Sequence, residues 1–138
     1  MKKILKLITA LTLVLCLAFS LTACINDDWA DVEQKLKEEG YSVTATVEDS
    51  GIKTALALRG LTAEADDVDC YMVASKDDKQ VFIIFCDERD TAKSLATQIE
   101  TRKSDYMKLY NLTEDTCDYG RDGKVVYFGH KDAVDAAK

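Results

Sequence analysis

The pattern of apolar and polar residues beyond position 24 predicts a chain of alternating helices and strands. Residues 26–39 place apolar side chains at helical spacing, and Gly40 follows as a left-handed helix stop. Residues 41–48 then alternate between apolar and polar side chains, which is typical of a strand with one buried face and one wet face.

Residues 50–59 fit two patterns. Three of their apolar residues alternate as in a strand, whereas residues 53–59 have high intrinsic helix propensity. Because Gly60 follows this stretch as Gly40 follows the first helix, we interpret it as a helix.

A hairpin and a second long helix are predicted next. Residues 69–75 and 80–87 are predicted strands, joined by the polar turn 76–79. The second strand is apolar on both faces, which is typical of a central strand buried on both sides. Apolar residues at helical spacing from Ala92 predict a helix that can extend to a stop at Asn111.

A second hairpin and a short helix complete the predicted fold. Residues 117–120 and 124–129 flank Asp122-Gly123, a dipeptide favoured in tight turns, and residues 131–138 form a closing helix. Between the two terminal helices, the element order matches a split βαβ or ferredoxin-like pattern. We therefore predict an α+β fold: an antiparallel sheet with helices on one face and extra N- and C-terminal helices. Such a fold argues nothing about activity.

The first 24 residues have the features of an export signal. Lysines at positions 2, 3 and 6 give the chain a positive start, and the apolar run from Ile4 to Phe19 is shorter than a comfortable membrane span. Leu21-Thr22-Ala23-Cys24 resembles the lipobox of bacterial lipoproteins, in which an apolar residue and two small ones precede a cysteine. The alternative is an ordinary secretory signal with an incidental cysteine.

The resemblance implies that the chain is cleaved between Ala23 and Cys24, and that Cys24 and the new amino terminus are acylated. It divides the chain into a removed signal peptide, 1–23, and a single domain, 24–138, tethered at Cys24. Two or three acyl chains make attachment stable, whereas one holds a protein only marginally. The implied location is the extracytoplasmic face of the cell membrane, or the outer membrane of a Gram-negative host. Since no linker follows Cys24, we expect the domain to lie against the bilayer.

The net charge of the chain limits the kinds of partner that it could bind. Loss of the leader removes three of the 18 Lys and Arg residues and none of the 25 Asp and Glu residues, which leaves a formal net charge of −10. An acidic exported domain is a poor candidate for nucleic-acid binding. Anionic lipid would repel it too, so we expect the membrane as a partner only through the lipid anchor.

Three thiols would remain once Cys24 is acylated: Cys70, Cys86 and Cys117. Their odd number argues against a complete disulfide framework. One bridge with one free thiol fits the count, but we favour three buried thiols, because free Cys packs as a small hydrophobe. Their spacing matches no zinc site.

No catalytic or metal-binding constellation stands out. His130 is the only histidine, and a lone histidine is more often a cap or surface residue than a ligand or base. Cys117 is close enough along the chain to keep a Cys–His pairing open. The acidic clusters, including the EF-hand-like run that starts at Asp118, are better explained as solvated caps and turns. We expect neither an enzyme nor a cofactor.

A sheet with helices on one face leaves its other face open. We take Tyr71, Phe82, Ile84 and Tyr127 as a candidate interaction face for a protein partner or a second copy. The alternative, which we favour, is that a terminal helix covers that face.

The leading functional hypothesis is a non-enzymatic interaction or structural module of the cell envelope. Its alternative is a small-ligand or metal-binding accessory lipoprotein of a transporter.

Overall fold

The computed structural model describes residues 24–138, so the predicted signal peptide and the cleavage position at Ala23 lie outside the described residues. A single turn of 3₁₀ helix precedes β2. The helices and strands are, in chain order, α1 (Trp29–Glu38), β1 (Ser42–Thr46), α2 (Asp49–Leu58), β2 (Val68–Lys76), β3 (Lys79–Cys86), α3 (Arg89–Thr101), α4 (Lys103–Leu109), β4 (Cys117–Asp122), β5 (Val125–His130) and α5 (Lys131–Ala137).

The five strands form one sheet in the order β1-β2-β3-β5-β4, and every neighbouring pair is antiparallel. β3 lies at the centre, and its residues 81–86 are all buried. This confirms the prediction made from its two apolar faces. It also confirms the α+β class and the antiparallel sheet.

Helices cover both faces of the sheet. On one face α2, α3 and α4 pack over Phe82, Ile84 and Phe128, while on the other α1 and α5 pack over Ile83 and Phe85. The predicted terminal helices are therefore the elements that cover the second face, as in the interpretation we favoured.

Only the second half of the sheet has the split βαβ arrangement. There β3 and β4 run in the same direction with β5 between them, and α3 and α4 make the connection. In the first half, the strands that α2 joins, β1 and β2, are antiparallel neighbours, so the full ferredoxin-like strand order is wrong. The polar side of β1 gives the reason, because a central position would bury Thr44 and Thr46. At the sheet edge, Thr44 stays exposed.

The ambiguous stretch 50–59 is helical. Gly60 ends α2 with φ +69°, and the Leu61 N–H donates to the Leu56 carbonyl at 2.9 Å, as in a Schellman ending. The same geometry recurs after α1, where Gly40 has φ +88°. Both predicted helix stops are confirmed.

The long middle helix and the second hairpin differ from their predicted bounds. The long helix that was expected to reach Asn111 is interrupted at Arg102 and continues as α4. The second hairpin turns at Gly123-Lys124 rather than at Asp122-Gly123, with Gly123 at φ +62°. Asp122 stays in β4, where its carboxylate accepts the Ile25 N–H at 3.0 Å.

Gly129→Ala should lower the free energy of unfolding by about 3 kcal/mol, because β3 and β5 approach closely at this position. A methyl group at Gly129 would lie 2.3 Å from the Gln80 carbonyl oxygen and 2.5 Å from Cα of Val81. Urea denaturation measures the loss. The control is Gly123→Asn, where an added Cβ meets nothing within 4 Å and Asn tolerates the positive φ, at a cost below about 1 kcal/mol. Equal losses in the two variants would contradict the close approach.

Candidate functional site

The four residues predicted as an interaction face do not share a face. Tyr71, Phe82 and Ile84 lie on the side covered by α2, α3 and α4, whereas Tyr127 lies beneath α1 and α5. None is more than 7% exposed. The prediction is wrong because helices cover both faces, and because the strand register pairs Tyr127 with Ile83 rather than with Ile84.

The side chain of Arg59, the residue that follows α2, is the most unusual polar group on the α2 side. It is half-buried, and its Nε donates to the Tyr71 hydroxyl at 2.9 Å. Its Cζ lies 5.2 Å from the ring centroid of Phe82 and 5.2 Å from that of Tyr110. The Tyr106 hydroxyl donates to the Arg59 carbonyl oxygen and so holds the backbone in place.

Local sequence explains how this arrangement forms. Gly60 ends α2 at a fixed direction, which places Arg59 over the sheet. Tyr106 and Tyr110 are four residues apart, so they project from the same side of α4 and its C-terminal end. The Tyr106 ring meets the Phe82 ring edge to face, with centroids 5.6 Å apart. The guanidinium therefore rests on an aromatic floor built from α4 and β3.

No carboxylate neutralises Arg59 within residues 24–138. The four ion pairs found there all use lysine, and none includes Arg59. Burial raises the pKa of Tyr71 and raises that of Tyr110 to about 12, so both hydroxyls are neutral at physiological pH. The chain thus holds an uncompensated positive charge at a half-buried position.

The pKa of Arg59 is itself raised. Burial acts to lower it, but the hydrogen bond with Tyr71 and the negative charges that Tyr71, Tyr110 and Tyr106 acquire when they ionise at high pH act in the opposite direction and prevail. The guanidinium consequently stays charged at any physiological pH.

Two open clefts meet at this side chain. They measure about 370 Å³ and about 450 Å³, and of the residues that the structure describes only Arg59 lines both. Leu58, 82% exposed, lines the first, and Leu109, 67% exposed, lines the second. We call the combined area the Arg59 surface, and define it by Leu58, Arg59, Tyr71, Leu109 and Tyr110.

A third cleft, of about 380 Å³, lies where β5 ends and includes His130. The Nδ1 atom of His130 accepts the Gln80 N–H at 3.1 Å, and the residue occupies the N-cap position of α5. Cys117 is its cross-strand neighbour in the sheet. However, burial raises the pKa of the Cys117 thiol, and the charges acting on it come from Lys103, Asp118 and Glu114 rather than from His130. The strands bring Cys117 and His130 together, but they do not activate the thiol.

The remaining thiols are structural. Cys70 and Cys86 are buried, and burial raises the pKa of each to about 12. All four cysteines of the described region are free, and Cys117 is half-buried rather than fully buried. Across residues 24–138, no three His, Cys, Asp or Glu side chains converge as a metal site would require.

The predicted lipidation site stands at the first described residue. Cys24 is exposed, whereas Ile25 is only 3% exposed and belongs to the core. Cys24 shares a shallow cleft with Arg89 and with the β4–β5 turn. None of the helices in the described part of the chain is both long enough and apolar enough to cross a bilayer.

The same end of the sheet carries a close carboxyl pair. A hydrogen bond to Asp87, together with burial and the repulsion of its charge, raises the pKa of Asp69 to about 6. The pair therefore retains a proton up to a higher pH than an isolated aspartate does.

Sequence analysis did not single out Arg59, although one local signal marks it. Residues 55–63 contain no acidic residue, so Arg59 has no carboxylate at i±3 or i±4 to pair with.

Comparisons of the chain with protein-family models, with curated proteins and with solved structures gave no significant match. Functional inference therefore rests on the geometry of the Arg59 surface.

Thiol labelling of the native protein at pH 8 should leave Cys70 and Cys86 unmodified. With pKa values of about 12, both remain protonated, and the thiolate is the reactive form. Peptide mapping after labelling measures the outcome, and labelling in denaturant serves as the positive control. Rapid modification of either residue in the folded protein would reopen thiol-based catalysis.

Proposed function

We propose that this chain is a lipid-anchored, extracytoplasmic lipoprotein whose folded domain is a non-enzymatic module that binds a protein partner. The observation that supports this most is the uncompensated Arg59 charge on an aromatic floor, flanked by Leu58 and Leu109. Arginine and aromatic residues are enriched in interface cores, where they dominate the binding energy, and acidic residues are depleted there.

Cys24 and the second cleft of the Arg59 surface lie at opposite ends of the sheet, which suits anchoring at Cys24. Cys24 lies beside the β4–β5 turn, whereas the second cleft of the Arg59 surface is lined by Asp78 and Gln80, next to the β2–β3 turn at the opposite end of the sheet. The six residues of β5 between these ends span roughly 17 Å. Acyl chains on Cys24 would hold one end of the domain at the bilayer and leave that cleft facing away from it.

A second candidate is a small-ligand-binding accessory lipoprotein. The cleft at His130 favours it, because Lys79 and Asp132 form a 2.8 Å ion pair in its wall and charges of both signs line it. A thermal-shift screen with common metabolites would test this function. Absence of a shift with all of them would dismiss it.

The anchor is tested by expressing the full chain in a bacterial host. The wild-type product should appear in the membrane fraction, resist extraction by high salt and yield an acylated N-terminal peptide that begins at Cys24. Cys24→Ser should abolish both attachment and acylation, whereas Cys117→Ser should retain them. An unmodified Cys24 thiol, or wild-type protein free in the cytosol, would refute the anchor.

The docking surface is tested by pull-down from detergent-solubilised envelopes. Leu58→Ser combined with Leu109→Ser should remove a protein that copurifies with the wild type, because the apolar rim that excludes water is lost. The matched control is Val47→Ser, which changes the third exposed large hydrophobic residue of the described region, outside the Arg59 surface. Equal loss in the control, or a strictly monomeric wild type without any partner, would contradict the proposal.

A further inference from the structure

We infer that the group bound at Arg59 is a single carboxylate, carried by an aspartate or glutamate side chain with apolar neighbours in a protein segment. The inference rests on the proposed function, since it takes the Arg59 surface as the docking surface. It adds the chemistry of the partner.

The free donors of Arg59 favour a carboxylate. A guanidinium carries five N–H donors, and among residues 24–138 only the Nε–H is used, by Tyr71. No fully buried side-chain nitrogen or oxygen in this region lacks a partner, so the two terminal nitrogens of Arg59, which make no hydrogen bond within it, keep access to solvent. Two of their N–H groups can donate in parallel to the two oxygens of one carboxylate. The rings of Phe82 and Tyr110 already restrict the guanidinium, which reduces the entropy lost on binding.

The charges around the clefts favour a monoanion. Among residues 24–138, Arg59 is the only cationic residue that lines the two clefts, and Asp78 contributes a negative charge to one of them. The guanidinium of Arg102 packs against Gly60 next to Arg59 but lines neither cleft. A phosphate group with a charge of about −1.5 to −2 would need further cations. A neutral group would leave the half-buried guanidinium uncompensated.

The apolar rims favour a protein segment over a small free carboxylate. Leu58 is exposed in one cleft beside Arg59, and Leu109 is exposed in the other. A small carboxylate at Arg59 would leave at least one of them in water. A segment with apolar side chains on both sides of its acidic residue would cover both, and exclusion of water would strengthen the ion pair.

The test is an NMR titration of the detergent-solubilised full protein with two probes, acetyl-Leu-Glu-Leu-amide and acetyl-Leu-Gln-Leu-amide. We expect the Glu peptide to shift resonances of Leu58, Arg59 and Leu109 and to bind about tenfold more tightly than the Gln peptide. Arg59→Met should abolish this preference. Arg59→Lys, which keeps the charge but not the fork of donors, should reduce it. The control Arg89→Gln, which removes an exposed arginine near Cys24, should leave it unchanged.

The other outcomes separate this inference from the proposed function. Equal binding of both peptides at the Arg59 surface would overturn the carboxylate but keep the docking surface. If inorganic phosphate or butyrate bound at the Arg59 surface as tightly as the Glu peptide, the inference of a protein segment would be overturned in favour of a small anion. If the resonances of the Arg59 surface shifted when the protein was diluted without peptide, the occupant would be a second copy of the chain. Absence of binding by either peptide would overturn the inference, while fractionation and pull-down still decide the proposed function.

Discussion

The fold depends on covering both faces of β3. Residues 81–86 offer apolar side chains to each side, so helices must pack above and below the strand. The terminal helices α1 and α5 cover one face, and α2, α3 and α4 cover the other. In that second layer, the ends of α2 and α4 meet over the sheet and bring the guanidinium of Arg59 to the rings of Phe82 and Tyr110.

Two opposing contributions determine the free energy of placing the Arg59 guanidinium at this site. Partial burial of a cation costs free energy, and the chain offsets this with two ring contacts of roughly 0.5–2 kcal/mol each and one hydrogen bond to a charged group of about 1.5–3 kcal/mol. These contacts hold the guanidinium in place but do not neutralise it. A carboxylate supplied from outside would meet a donor that is already oriented and partly desolvated, which is what distinguishes this arginine from the lysines that form ion pairs elsewhere on the domain.

Short-range signals in the sequence predicted most of the elements and little of the site. The left-handed stop at Gly60 and the two-sided apolar run of β3 act within a few residues, so they could be recognised directly. The strand register that sends Tyr127 to the opposite face from Ile84 depends on pairing across the sheet. Arg59 was missed for the same reason, since its contacts lie 12 or more residues away along the chain.

The most direct test of the central claim is the NMR resonance of the Arg59 side-chain Nε–H, followed from pH 7 to pH 4. Our account predicts a resolved signal, displaced upfield by the rings beneath it. It should not follow a carboxyl titration, because no carboxylate of the described domain pairs with Arg59. A shift typical of an unstructured arginine, or one that titrates with an apparent pKa near 4, would contradict the account.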